Sequence, residues 1–159
     1  MNHALYAKLD KLRKAVAVVS SNTSTIPLAE LTKGASEDFA KHFMIAHFFN
    51  PPRYMRLLEV VKSDKTLPAA YENVCRFADI HLGKSIVPCK DRPGFIGNRL
   101  GVYWLQTAVL EAVAAGITVE EADAIIGRPM GIPKTGVFGL SDLVGIVLMH
   151  TITARLTGH

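Results

Sequence analysis

A pair of adjacent prolines inside an apolar run constrains this chain more than any other feature. In the stretch AHFFNPPRYMRLLEVVK, residues 46–62, two short apolar segments at 44–49 and 57–61 flank Asn50, Pro51 and Pro52. Each proline fixes φ and removes a backbone donor, so a sheet ladder has to stop there and the chain has to turn. The stretch therefore predicts two strands joined at the proline pair. His47 falls in the first strand among apolar neighbours, and Glu59 falls in the second between Leu58 and Val60. If the strands pair across the turn, an imidazole and a carboxylate meet in apolar surroundings. A carboxylate beside a histidine selects its tautomer and stabilises the imidazolium, which is how a general base is built. A partly buried histidine satisfied by a neighbouring acid is the structural alternative, since ion pairs without catalytic work have the same make-up.

Upstream of the hairpin, Leu5, Leu9 and Leu12 recur at helical spacing. The run AVAVV, residues 15–19, predicts a buried parallel strand. It is followed by six small polar residues, Ser20 to Thr25, and then by Ile26, Pro27 and Leu28. Ser24 or Thr25 as N-cap with a proline in the first turn predicts a helix start. A polar loop at the carboxyl end of a strand, leading into a helix, is also where open α/β sheets bind ligands. Capping and ligand contact both remain open for this loop.

After Gly34 the sequence predicts a polar turn into the first hairpin strand. Downstream, Thr66, Leu67 and Pro68 open a helix that Gly83 closes, and residues 85–89 read as a further strand. Lys90-Asp91-Arg92-Pro93-Gly94 is the clearest boundary. Beyond it the pattern is helical, over 95–115 and over 118–126, the latter opened by Thr118 and Glu121 at capping-box spacing. An apolar segment, 140–156, ends the chain. The expected organisation is α/β to residue 90 and all-α over 91–159.

Composition excludes several classes. The apolar run 143–149 is far too short to span a bilayer, so no membrane role is expected. The first fifteen residues are amphipathic and lack the apolar core of a signal peptide. Cys75 and Cys89 are the only cysteines and lack CxxC spacing, which suits a reducing, cytoplasmic setting. A net charge of +4 mildly favours an anionic ligand, but no Lys/Arg cluster is interleaved with aromatics, so nucleic acid is not an expected partner. The remaining histidines form neither HxH nor HExxH, and no metal site is expected. Gly94, Gly97 and Gly101 do not make GxGxxG, and GIPKTG, residues 131–136, is not a Walker A loop.

SSNTSTI, AHFFNPP followed by LLEVV, and DRPGFIGNRL, in that order and spacing, resemble the NAD-dependent 3-hydroxyacyl-CoA dehydrogenases of fatty-acid β-oxidation, and the run GRPMGIPKTGVFGLSDLVG looks more like the large bacterial forms than the short mitochondrial ones. The resemblance implies a partial Rossmann-like sheet over 1–90, the later part of the NAD-binding domain, and a helical substrate and dimerisation domain over 91–159. It implies that His47 is the base taking the proton of the 3-hydroxyl, with Glu59 as its orienting partner. It implies further that Ser24 and Asn98 hydrogen-bond substrate oxygens, that Asn22 lies near the nicotinamide, and that the partners are an acyl-CoA substrate and NAD. The family's GxGxxG loop is missing from the sequence. The expectation is therefore a fragment that works as a homo-oligomer or with a separate N-terminal half, or else a non-catalytic assembly module that pairs with another chain.

Overall fold

The computed structural model describes residues 3–131 and 135–145. The chain folds as two units, Met1–Ile96 and Gly97–His159.

The first unit is built on a four-stranded sheet in the order β1-β2-β3-β4, formed by Val19–Ser21, Phe43–Phe48, Leu57–Val61 and Ser85–Cys89. β1 runs parallel to β2, β2 antiparallel to β3, and β3 parallel to β4. The hairpin predicted at the proline pair is the centre of this sheet. Side chains alternate between faces along each strand. One face carries Phe43, Ile45 and Val61, packed with Tyr6 of helix α1 (His3–Leu12) and with Leu28, Leu31, Phe39 and Phe95. The other carries Met44, Ala46, Leu58 and Val60 against Ala70 and Ala78 of helix α4 (Pro68–Leu82). Each large apolar side chain that is fully buried here contributes about 1.5–3 kcal/mol through removal from water. His47 and Glu59 share the parity of the first face, so the hairpin register delivers both to the same side.

The apolar run 15–19 is not the expected buried strand. The Arg13 guanidinium donates to the carbonyls of Ala15 and Ala17, Ala17 N–H closes a turn on Lys14, and Val16 is exposed. An arginine that draws successive carbonyls inward leaves them unavailable to a ladder, so the strand begins only at Val19. The helix start after the polar loop also differs. Helix α2 (Leu28–Leu31) has Pro27 as N-cap, and neither Ser24 nor Thr25 caps it. The Leu28 N–H instead donates to Asp91 Oδ2 at 2.9 Å, across 63 residues. Between Gly34 and β2, where a polar turn was expected, lies a short helix α3 (Glu37–Lys41) capped by Ser36. The Asp10 carboxylate accepts from both the N–H and the hydroxyl of Ser36, and these bonds hold it below the ordinary carboxylate range.

Helix α4 is closed by Gly83 in the left-handed conformation, as its sequence predicts. The next residue, Lys84, is buried and donates Nζ to the carbonyls of Pro52 and Met55. That contact holds down the loop between β2 and β3.

In the second unit, α5 (Gly97–Ala115) and α6 (Val119–Ile125) precede α7 (Gly136–Val144). Thr118 and Glu121 form the capping box read from the sequence, and the bond to the Thr118 N–H lowers the Glu121 carboxyl. Leu105, Ala108 and Val137 form the core, with Trp104 and Val109 packed against it. The terminal segment 140–156 lies outside the described residues from 146 onward. Among the described residues no helix is long and apolar enough to cross a membrane.

Candidate functional site

The site is made at the end of the β2–β3 hairpin nearest the prolines. His47 and Glu59 are direct partners in the antiparallel register. His47 Nδ1 lies 2.8 Å from Glu59 Oε2. Glu59 is 1% exposed and His47 8%. With Nδ1–H donating to the carboxylate, the ring is fixed in one tautomer and Nε2 is left as its acceptor.

The second carboxylate oxygen is also engaged. Ile96 N–H donates to Glu59 Oε1 at 3.0 Å. The imidazole is walled by two rings, Phe49 at 4.8 Å and Phe95 at 5.8 Å between centroids, both edge-to-face. Cys89 shares this face of the sheet. Burial, together with the Glu59 carboxylate beside it, pushes its thiol up to about 11.

The polar loop after β1 is tied to the same place. Asn22 Oδ1 accepts from Phe48 N–H at 2.8 Å, one residue from His47. The Ser24 carbonyl accepts from Gly94 N–H at 2.7 Å, one residue before Phe95. Hydrogen bonds therefore link the loop of Asn22 and Ser24, the His47–Glu59 pair and the turn at 94–96. Asn98 is the second residue of α5 and belongs to the second unit.

Sequence reading missed the turn at 94–96, which appeared only as a boundary, and the place of Cys89 beside Glu59. The first left one signal, a phenylalanine directly after Pro93-Gly94 where a turn needs small residues. The second follows from strand parity once Cys89 pairs with Val61 in the β3–β4 register. Among the described residues no three His, Cys, Asp or Glu side chains gather as a metal site.

As an arrangement of groups this is a proton acceptor. Its acceptor nitrogen belongs to a ring held by a buried carboxylate, which is itself anchored at its other oxygen.

Residues 1–92 match the family described as 3-hydroxyacyl-CoA dehydrogenase, NAD binding domain, and residues 94–158 match its C-terminal domain. A Deinococcus radiodurans protein named "Probable 3-hydroxyacyl-CoA dehydrogenase" is 41% identical over 156 residues, which are 98% of this chain and 45% of that protein. The crystal structure of FadB2 from M. tuberculosis superposes with a TM-score of 0.87 at 33% identity, covering 98% of this chain and 54% of the other. That of (S)-3-hydroxybutyryl-CoA dehydrogenase from Ralstonia eutropha gives 0.80 at 25% identity, covering 98% and 53%. The chain spans about half the length of each of these relatives.

Proposed function

The chain belongs to the 3-hydroxyacyl-CoA dehydrogenase family, and on that premise we infer that it carries the proton-transfer site of an NAD-dependent oxidation of (S)-3-hydroxyacyl-CoA in fatty-acid β-oxidation. The observation that supports this reading is the buried His47–Glu59 pair, 2.8 Å apart and anchored by Ile96 N–H. His47 Nε2 takes the proton of the substrate 3-hydroxyl as the C3–H bond gives up its hydride, and the C–O bond becomes a carbonyl. Glu59 stabilises the imidazolium that forms. Ser24 and Asn98 hydrogen-bond the substrate oxygens. Residues 1–90 act as the later part of the NAD-binding domain, and 91–159 as the substrate and dimerisation domain.

NAD, when bound, supplies the hydride acceptor. The residues present fit its nicotinamide end: Asn22 is fixed by its Oδ1 beside the strand carrying His47, which leaves its amide NH2 as a donor. They do not supply a pyrophosphate cradle, because no two glycines in the sequence are spaced as GxG. The two free thiols, Cys75 and Cys89, suit a cytoplasmic location.

The exposed apolar residues of α5, Leu100, Tyr103 and Leu110, support a second reading, in which the chain is a non-catalytic assembly module pairing with another chain. One experiment separates the two. NADH formation from short- and long-chain (S)-3-hydroxyacyl-CoA is followed with the purified chain, alone and mixed with a polypeptide carrying a family GxGxxG unit. Turnover in either sample that is abolished by His47→Gln supports the first reading. No turnover in both samples, with the fold intact, supports the second.

A further inference from the structure

Phe95 adopts a backbone conformation that its side chain disfavours. It is 5% exposed and has a φ of 43°, in the left-handed region that bulky residues seldom take. Such a conformation is strained and persists only where its surroundings over-determine it. Three hydrogen bonds do so here. Gly94 N–H donates to Ser24 O at 2.7 Å, Phe95 N–H to Arg92 O at 3.0 Å, and Ile96 N–H to Glu59 Oε1 at 3.0 Å.

Glycine takes a positive φ without penalty, as Gly94 does next door at 75°. A turn alone therefore does not explain a phenylalanine at this position. What phenylalanine adds is its ring, edge-on to His47 at 5.8 Å and 66°. What the left-handed backbone adds is the direction of the next N–H. A reversal at Phe95 turns the Ile96 amide back toward β3, where it meets the carboxylate oxygen that His47 does not use.

We propose that Phe95 is a positioning residue for the His47–Glu59 pair: its left-handed backbone aims the Ile96 N–H at Glu59 Oε1, and its ring walls the imidazole. With Oε1 anchored, Oε2 faces Nδ1 and the ring keeps one tautomer. This rests on the reading of His47 as the base, but its test does not depend on activity.

The test compares Phe95→Gly with Phe95→Val in the isotope-labelled full chain. Valine keeps apolar bulk but, being β-branched, rejects a positive φ; glycine loses the ring and accepts the conformation. The readouts are exchange of the Ile96 amide, with α4 amides as the control for global opening, and the nitrogen spectrum of His47. In Phe95→Val the Ile96 amide is expected to exchange about ten- to a hundredfold faster and the single Nδ1–H tautomer to be lost. Phe95→Gly keeps both features more nearly than valine does. If glycine does not fold, Phe95→Asn replaces it with the same expectation, because asparagine tolerates the left-handed region. Valine matching the wild type, or valine proving milder than glycine or asparagine, overturns the proposal and makes Phe95 a packing residue only. An intact Ile96 and His47 signature in an assembly that oxidises no substrate overturns instead the role of His47 as base.

Discussion

Glu59 presents two carboxylate oxygens to two donors: Oε2 faces His47 Nδ1 at 2.8 Å and Oε1 faces Ile96 N–H at 3.0 Å. Because each oxygen accepts from a different donor, Glu59→Gln is an informative substitution. A glutamine has one acceptor and one NH2, so either orientation sets a donor against a donor. The imidazole escapes by moving its proton to Nε2, which removes the base. We expect kcat in a turnover-competent assembly to fall about a hundred- to ten-thousandfold with KM little changed. We also expect a loss of about 1 kcal/mol in denaturant stability, because neutral hydrogen bonds replace charge-assisted ones. An unchanged kcat would remove Glu59 from the mechanism.

The alkaline limb of stability draws on Cys89 and Tyr71 in the first unit, joined by Cys75, whose thiol burial also pushes up. Burial pushes the Cys89 thiol from 9.0 to about 11, aided by the Glu59 carboxylate, and pushes the Tyr71 hydroxyl from 10.0 to about 12, aided by Cys75. The folded chain keeps both protons at pH values where the unfolded chain releases them. Their contribution is fully present below pH 9, and is lost from 9 to 11 for Cys89 and from 10 to 12 for Tyr71. Tm should therefore begin to fall above pH 9, and Cys89→Ser should flatten the first part of the fall. A Tm unchanged between pH 9 and 11 would contradict the assignment.

In the second unit, the Asp123 carboxylate accepts from Phe138 N–H at 2.7 Å and Gly139 N–H at 3.0 Å, capping the start of α7. Gly136 has a φ of 66°, and a Cβ there would lie 2.6 Å from the Asp123 Cα. Gly136→Ala should cost roughly 2–4 kcal/mol, the sum of a left-handed alanine and a clash that backbone cannot relieve. Asp123→Asn, which loses the charge and sets its NH2 against one of the two N–H donors, should cost about 1–2 kcal/mol. Chemical denaturation followed by Trp104 fluorescence checks both, and an equal effect of the two would show that the clash is relieved.

How much of this could be read from the sequence depended on the range of the interaction. The hairpin was legible because two prolines end a ladder locally, and strand parity then carries His47 and Glu59 to one face. The capping box at Thr118 and the closing Gly83 were legible for the same reason, being settled within a single turn. The failures lie where distant residues override local preference. Arg13 holds residues 15–17 out of the sheet, and Asp91 caps α2 in place of Ser24 or Thr25. The bond from Ile96 to Glu59 spans 37 residues and uses a backbone N–H, which no residue type announces.

The last prediction concerns association. Trp104, Leu105 and Val109 of α5 pack with Val137 of α7. The opposite side of the helix is apolar and open: Leu100, Tyr103, Leu110 and Val113 are each 65–72% exposed. They form two i,i+3 pairs on the helix, Leu100 with Tyr103 and Leu110 with Val113, separated by Gln106 and Thr107, and exposed apolar clusters of this kind mark interaction surfaces. In the first unit, β1 stands at the end of the sheet order with β2 as its neighbour, which leaves its other edge unpaired among the described residues. Both features favour self-association or capture of a further chain. Sedimentation at micromolar concentration should show a species larger than the monomer. Tyr103→Glu with Leu110→Lys should shift it to monomer if the helix stripe is the contact, without altering the His47 nitrogen spectrum in the other unit. Larger species that persist in the double variant would move the contact to the β1 edge. A wild-type chain that sediments as a compact monomer would show that neither surface is a self-association interface.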